Sequence, residues 1–142
     1  MVIMLTTLFL ASVIGQAQFN LVVPIKVSET QQLQLGEIAN QANTSCKVNV
    51  EHRVGDACIS SEWATGTLQI SAASGESVKV ELIPASYADF KFSPLLANGT
   101  NAGRYVIDNG LLTIPIGGEL TIINPSAIGQ HNVSYMIEIN YE

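Results

Sequence analysis

The residues of this chain best suited to chemistry are few. Cys46, His52 and Cys58 stand at even spacing, and His131 is the only other histidine. On an extended strand Cys46 and His52 would share a face, and thiolate plus imidazole is a ligand set for zinc or copper. The close Cys-x-x-Cys pair that usually anchors such a site is absent. A hydrolase would need a nucleophile, a base and an orienting acid. Only His52 and His131 could serve as base, and neither lies near a Gly-x-Ser-x-Gly turn. Glu51, Asp56 and Glu62 could in principle pair for glycoside chemistry. They crowd into one polar, loop-rich stretch, where solvated charge is the ordinary outcome. The single tryptophan, Trp63, follows Cys58 closely. It suits packing against a disulfide better than a sugar platform. Asn43, Asn98 and Asn132 open Asn-x-Ser/Thr sequons, which would mark surface positions only in a eukaryotic secreted chain. The sequence therefore predicts no catalytic residues, no metal site and no cofactor.

The two cysteines carry a different expectation. An even count in a small exported domain favours a Cys46–Cys58 disulfide. Two reduced, buried thiols are the alternative. Export is suggested by the apolar run Val2 to Ile14, followed by Gly15-Gln16-Ala17 with small residues suited to a cut after Ala17. No Lys or Arg precedes the run, which departs from the usual leader. A membrane-spanning helix needs roughly 20 apolar residues, more than this run supplies. An uncleaved anchor or a core strand are the other readings. The expectation is a secretory signal peptide over 1–17 and one domain over 18–142, with a periplasmic, cell-surface or extracellular location and no stable membrane span once the leader is removed.

The elements that would position these residues are strands. The chain has 142 residues, 47% of them hydrophobic and 13% charged, with a formal net charge of -6. That composition supports one packed domain rather than long disordered tails. No Lys/Arg cluster exists to neutralise phosphates, so nucleic-acid binding is not expected. Period-two alternation recurs in QQLQLGEI (Leu33, Leu35), CKVNVE (Cys46, Val48, Val50), TLQIS (Leu68, Ile70), SVKVELI (Val78, Val80, Leu82), ELTII and VSYMIEINY. Between them lie turn signals, including Val54-Gly55-Asp56, Ser74-Gly75-Glu76, Asp108-Asn109-Gly110 and Gly117-Gly118. Asp108-Asn109-Gly110 is the strongest hairpin signal. YADFKF, Tyr87 to Phe92, is ambiguous between strand and loop. Many short alternating strands with regular turns predict an all-β sandwich. In the closing strand, Val133, Tyr135, Ile137, Ile139 and Tyr141 should face the core and Glu138 and Asn140 the solvent.

The stretch FNLVVPIKV raises a question of assembly. Its odd positions, Phe19, Leu21, Val23, Ile25 and Val27, are all apolar, and it follows the leader directly. It could be the first strand of its own sheet, or a strand donated to a second copy.

Three stretches resemble a bacterial exported β-sandwich family known only as domain of unknown function 4402. VVPIKVSETQQLQLGEI is similar to its opening strand, with Leu33-Gln34-Leu35-Gly36 as its signature. GTLQISAASGESVKVELIPAS is similar to its central hairpin, ending at Ile83-Pro84. IGGELTIINPSAIGQHNVSYMIEINY is similar to its Gly-Gly-x-Leu strand and closing strand. His131 and Val133 depart from the family's usual aromatic and small residues there, and the cysteine segment is particular to this chain. That family resembles, more distantly, pilin-like subunits of the spore-coat-U and archaic chaperone-usher type. The resemblance implies an incomplete immunoglobulin-like sandwich and a non-enzymatic, fimbria-like structural subunit. Such a subunit would form homo-oligomers by receiving a strand from its neighbour. A self-contained secreted module that binds glycans or a surface protein is the alternative.

Overall fold

The computed structural model describes residues 9–142. Most of the expected leader's apolar run, up to residue 8, lies outside the described residues. Residues 9–25 form neither strand nor helix. The described part is all-β, with ten strands. Their order is β1 (Lys26–Gln31), β2 (Thr44–Val48), β3 (Arg53–Val54), β4 (Gly66–Ser71), β5 (Ser77–Ile83), β6 (Ala85–Ser86), β7 (Phe90–Leu95), β8 (Ala102–Val106), β9 (Leu111–Ile122) and β10 (Met136–Tyr141). No described helix is long and apolar enough to cross a membrane.

All pairings are antiparallel, and they form two sheets. The smaller runs β10-β5-β8; the larger runs β1-β4-β9-β2-β3, with β7 on β9 and β6 on β7. Alternation decides which side chains meet between them. Leu68 and Ile70 of β4 and Ile114 and Ile116 of β9 pack with Val78, Val80 and Leu82 of β5. All are buried, while Lys79 between them is exposed. Each such side chain contributes about 1.5–3 kcal/mol when removed from water. The result is a single-domain β-sandwich.

The long strand β9 builds both ends of the larger sheet. Its first half, Leu111 to Ile116, pairs only with β4. Its second half, from Gly117, pairs with β2 and β7 on opposite edges. Gly117-Gly118, expected as a turn, lies inside this strand. A Cβ at Gly117 would stand 2.2 Å from the Val48 carbonyl oxygen, and one at Gly118 2.4 Å from Cζ of Phe92. Close approach of the Val48 backbone to Gly117 and of the Phe92 ring to Gly118, not a reversal, requires glycine there. Pro115 pairs with Thr67 in the half of β9 that has one free edge, so its missing N–H leaves no ladder bond unmade.

Other expectations change as well. QQLQLGEI forms no continuous strand; it touches the sheet through isolated bridges, Gln34 to Ala64 and Ile38 to Cys58. Asp108-Asn109-Gly110 does make a tight turn, with φ of 53° at Asn109 and 75° at Gly110. It does not join a hairpin, because β8 and β9 belong to different sheets. YADFKF enters β7 from Phe90 onward. The closing strand starts at Met136, leaving Val133 and Tyr135 on the approach to it.

Candidate functional site

The cysteines are joined: Cys46 and Cys58 form a disulfide with a Cα–Cα distance of 5.0 Å. Cys46 is fully buried on β2. The bridge ties β2 to the loop after β3, and the Ile38–Cys58 bridge adds the segment before β2. Arg53 completes this corner. Its Nε donates to Leu35 O at 2.8 Å, Nη1 to Ile59 O at 2.6 Å and Nη2 to Glu37 O at 2.6 Å. One guanidinium thus holds two irregular segments by their carbonyls. Gly36 lies beneath it with φ of 81°, and a Cβ there would meet Ser61 Oγ at 2.7 Å.

The residues considered for catalysis do not converge. His52 is exposed in the turn after β2, where Asn49 Oδ1 accepts its backbone N–H at 2.7 Å. His131 is exposed, its Nε2 2.6 Å from Ala127 O and its ring edge-on to Phe90 at 6.1 Å. Asp56 accepts the Ser45 N–H at 2.8 Å. Trp63 is half-buried. Among the described residues, no group of three or more His, Cys, Asp or Glu could hold a metal ion.

The structure instead brings together the two terminal strands. Lys26 pairs with Ser71 and Gln31 with Thr67, so β1 begins at the end of β4. Tyr141, the last residue of β10, reaches that same end. Its Oη accepts from Ala73 N at 2.7 Å and donates to Val23 O at 2.6 Å. At the other end Tyr135 faces Glu29 of β1. The two strands therefore run in opposite directions along one side of the sandwich, each in a different sheet. Among the described residues, neither pairs with a strand on its outer edge.

The side chains here are only half covered. Tyr135, Ile137, Ile139 and Tyr141 touch the core cluster, as does Ile25, but none is fully buried. Val133 is half-buried and Glu138 and Asn140 are exposed. Every residue of β1 is exposed, Val27 included. The preceding arm is barer still: Phe19 is 79% exposed, Leu21 90% and Val23 52%. FNLVVPIKV is thus divided, with its first six residues outside any strand, Ile25 at the core's margin and Lys26-Val27 opening β1.

Beyond Tyr135 the gap opens into a cleft of about 810 Å³. Its walls are the segment after β1, around Leu33 and Leu35, and the loop before β10, around Ile128 and His131; Phe92 lies between them. Asn40 and Ser126 clamp these walls reciprocally, Nδ2 donating to Ser126 O at 2.8 Å and Ser126 N to Asn40 Oδ1 at 3.0 Å. The hydroxyl of Tyr135 is buried at the cleft's edge without a hydrogen-bond partner. Burial pushes its pKa up to about 12, and the negative charge of Glu29 adds to this. Glu29 acts on the phenol's charge without completing a hydrogen bond to it.

The alternation of the last strand was legible in the sequence. The bare arm and the missing cover on β10 were not, because period-two patterning says which face is apolar and not what covers it. Fold and site define a class: a disulfide-bonded β-sandwich with an exposed apolar arm before its first strand and, among the described residues, a closing strand paired on one edge only. No protein-family model matches the chain, and no curated protein matches it.

Proposed function

We propose that this protein is a non-enzymatic, exported structural subunit of a cell-surface or pilus-like assembly, joined to its neighbours by β-strand addition. The observation that carries the reading is the arm. Phe19, Leu21 and Val23 alternate with period two and are exposed, Phe19 and Leu21 almost completely. An extended peptide added to a sheet edge gains main-chain hydrogen bonds, and its alternate side chains gain pockets. The disulfide and the export-like leader support an exported location. The resemblance to exported pilin-like sandwiches points the same way.

Deleting residues 18–22 tests it. The expected product is a folded monomer: its circular dichroism stays β-type, while light scattering shows assembly lost. Unfolding of the truncated chain would mean that the segment belongs to its own sheet. The cleft favours a second reading, a self-contained module that binds a glycan or a surface protein. That reading predicts a full-length protein that stays monomeric and saturates with a ligand.

A further inference from the structure

We infer that the cleft beyond Tyr135 is a saccharide-binding site and that its ligand is an uncharged oligosaccharide. The assignment rests on the second reading, the binding module, and adds the class of ligand and the residues that select it. At about 810 Å³ the cleft falls within the roughly 300–1,000 Å³ of small-molecule sites.

Charge narrows the ligand first. Glu29 and Glu37 line the cleft and, among the described residues, no Lys or Arg does. A uronic acid, sulfate or phosphate would meet two carboxylates with no ammonium or guanidinium to offset them. His131 offers one ring nitrogen at most, because the Ala127 carbonyl takes up its Nε2 at 2.6 Å.

The uncharged polar lining then favours hydroxyl groups. Gln32 and Gln34 stand on the wall after β1, and Gln130 and Asn132 on the wall before β10; all four are exposed. A carboxamide both donates and accepts, and a carboxylate accepts at two oxygens. Neighbouring hydroxyls of a sugar, each a donor and an acceptor, match that set from both walls. A sugar ring also has a less polar face of C–H groups. Phe90 supplies the surface for it: the ring lines the cleft, is half-buried, and is flanked by Tyr87 at 4.9 Å and His131 at 6.1 Å. An apolar surface with a few convergent polar groups is the general make-up of a ligand site.

Both walls are fixed before any ligand arrives. Arg53 holds the carbonyls of Leu35, Glu37 and Ile59, and the disulfide reaches Ile38 through Cys58. These four held residues all line the cleft. The reciprocal Asn40–Ser126 pair ties one wall to the other. A hydroxylated ligand exchanges bonds to water for bonds to protein and gains little net from each. Its affinity therefore depends on a site ordered in advance, which lowers the cost of binding. The cysteine corner thereby acquires a role: it shapes a wall of the cleft without touching the ligand.

The test is a nuclear magnetic resonance titration of the disulfide-bonded protein with cellohexaose, mannohexaose, maltohexaose and chitohexaose, and in parallel with oligogalacturonate and hexyltrimethylammonium. At least one neutral hexasaccharide should shift the backbone amides of Gln32 to Glu37 and of Gln130 to Asn132 saturably, and the two charged probes should not. Gln34→Ala and Gln130→Ala should each weaken that binding about two- to tenfold, the loss of one net hydrogen bond. Arg53→Lys should weaken it about threefold or more through the wall alone; unchanged affinity there overturns the role given to the corner. Saturable shifts from oligogalacturonate or from the ammonium probe alone overturn the uncharged class. No saturable shift from any neutral probe at about 10 mM, tenfold above a millimolar Kd, overturns the saccharide site. Sedimentation of the same samples separates that failure from failure of the module. A protein that stays monomeric and binds no saccharide keeps the module, with a protein as its ligand; one that assembles and binds none loses both.

Discussion

Replacing Leu21 by alanine separates assembly from folding in one residue. Leu21 is 90% exposed in the subunit, so truncating it removes almost no contact. Exposed substitutions usually change stability by less than about 0.5 kcal/mol. If Leu21 is buried against a neighbouring copy on assembly, the lost burial is about 2 kcal/mol. With a factor of ten per 1.4 kcal/mol, subunit association should weaken about 30-fold. Val22→Ala is the control, because parity turns Val22 outward; its effect should be below about threefold on the same scale. Sedimentation velocity over a concentration series reads association, and urea unfolding of dilute protein reads the monomer. Two results would refute the reasoning. Unchanged association would mean that the arm is not buried between subunits. A loss of monomer stability above 1 kcal/mol would mean that Leu21 packs on its own domain. Leu82→Ala, at a fully buried position, sets the scale for that second outcome at about 2–5 kcal/mol.

Replacing both Cys46 and Cys58 by alanine should cost about 3 kcal/mol in a urea titration, the chain-entropy value for a short loop closed between residues 12 apart. Arg53→Lys keeps the charge but cannot span three carbonyls, so about 1.5 kcal/mol should be lost, with faster hydrogen exchange at the segments it holds. Ile137→Ala should cost about 1–2 kcal/mol in the isolated subunit, below the range for a fully buried site, because β10 is covered on one side only. Tyr135 should titrate near 12 in an ultraviolet titration, well above the ordinary tyrosine value of about 10. Its folded-state pKa is raised, so its contribution to stability is complete below the unfolded value of about 10 and is lost as pH rises through 12.

The sequence was most informative where alternation and burial coincide. TLQIS and SVKVELI became β4 and β5 because one face of each meets the other sheet. It misled where local signals carry two meanings. Gly117-Gly118 reads as a turn, yet glycine also permits the close approach of β9 to Val48 and Phe92. Pro115 masks the first half of that strand, since proline is tolerated there only through a free edge that composition does not reveal. QQLQLGEI alternates as a strand should, but Gly36 with φ of 81° and the Arg53 contacts draw it out of the sheet. Arg53 itself has no sequence signature. Its partners are backbone carbonyls, which every residue has, and only the fold places three of them together.

The arm's composition bears on why it can be left bare. From residue 9 to Ile25 there is no charged side chain, and the stretch FNLVV has high β propensity. Exposed segments of that kind pair indiscriminately with sheet edges unless charge, proline or a bulge blocks them. The rest of this chain uses those devices. β1 carries Lys26 and Glu29 and a register shift between Glu29 and Gln31, and the β8 edge presents Arg104, paired to Glu142 at 2.8 Å. The arm has only Pro24, at its junction with the domain. The outer edge of β10 is likewise lightly defended, with Glu138 as the only charge on its exposed face. An unguarded segment and an unguarded edge on one molecule are a hazard when their pairing is random. The edges of β1 and β8 are guarded by charge and by the register shift, so any strand addition is directed away from them.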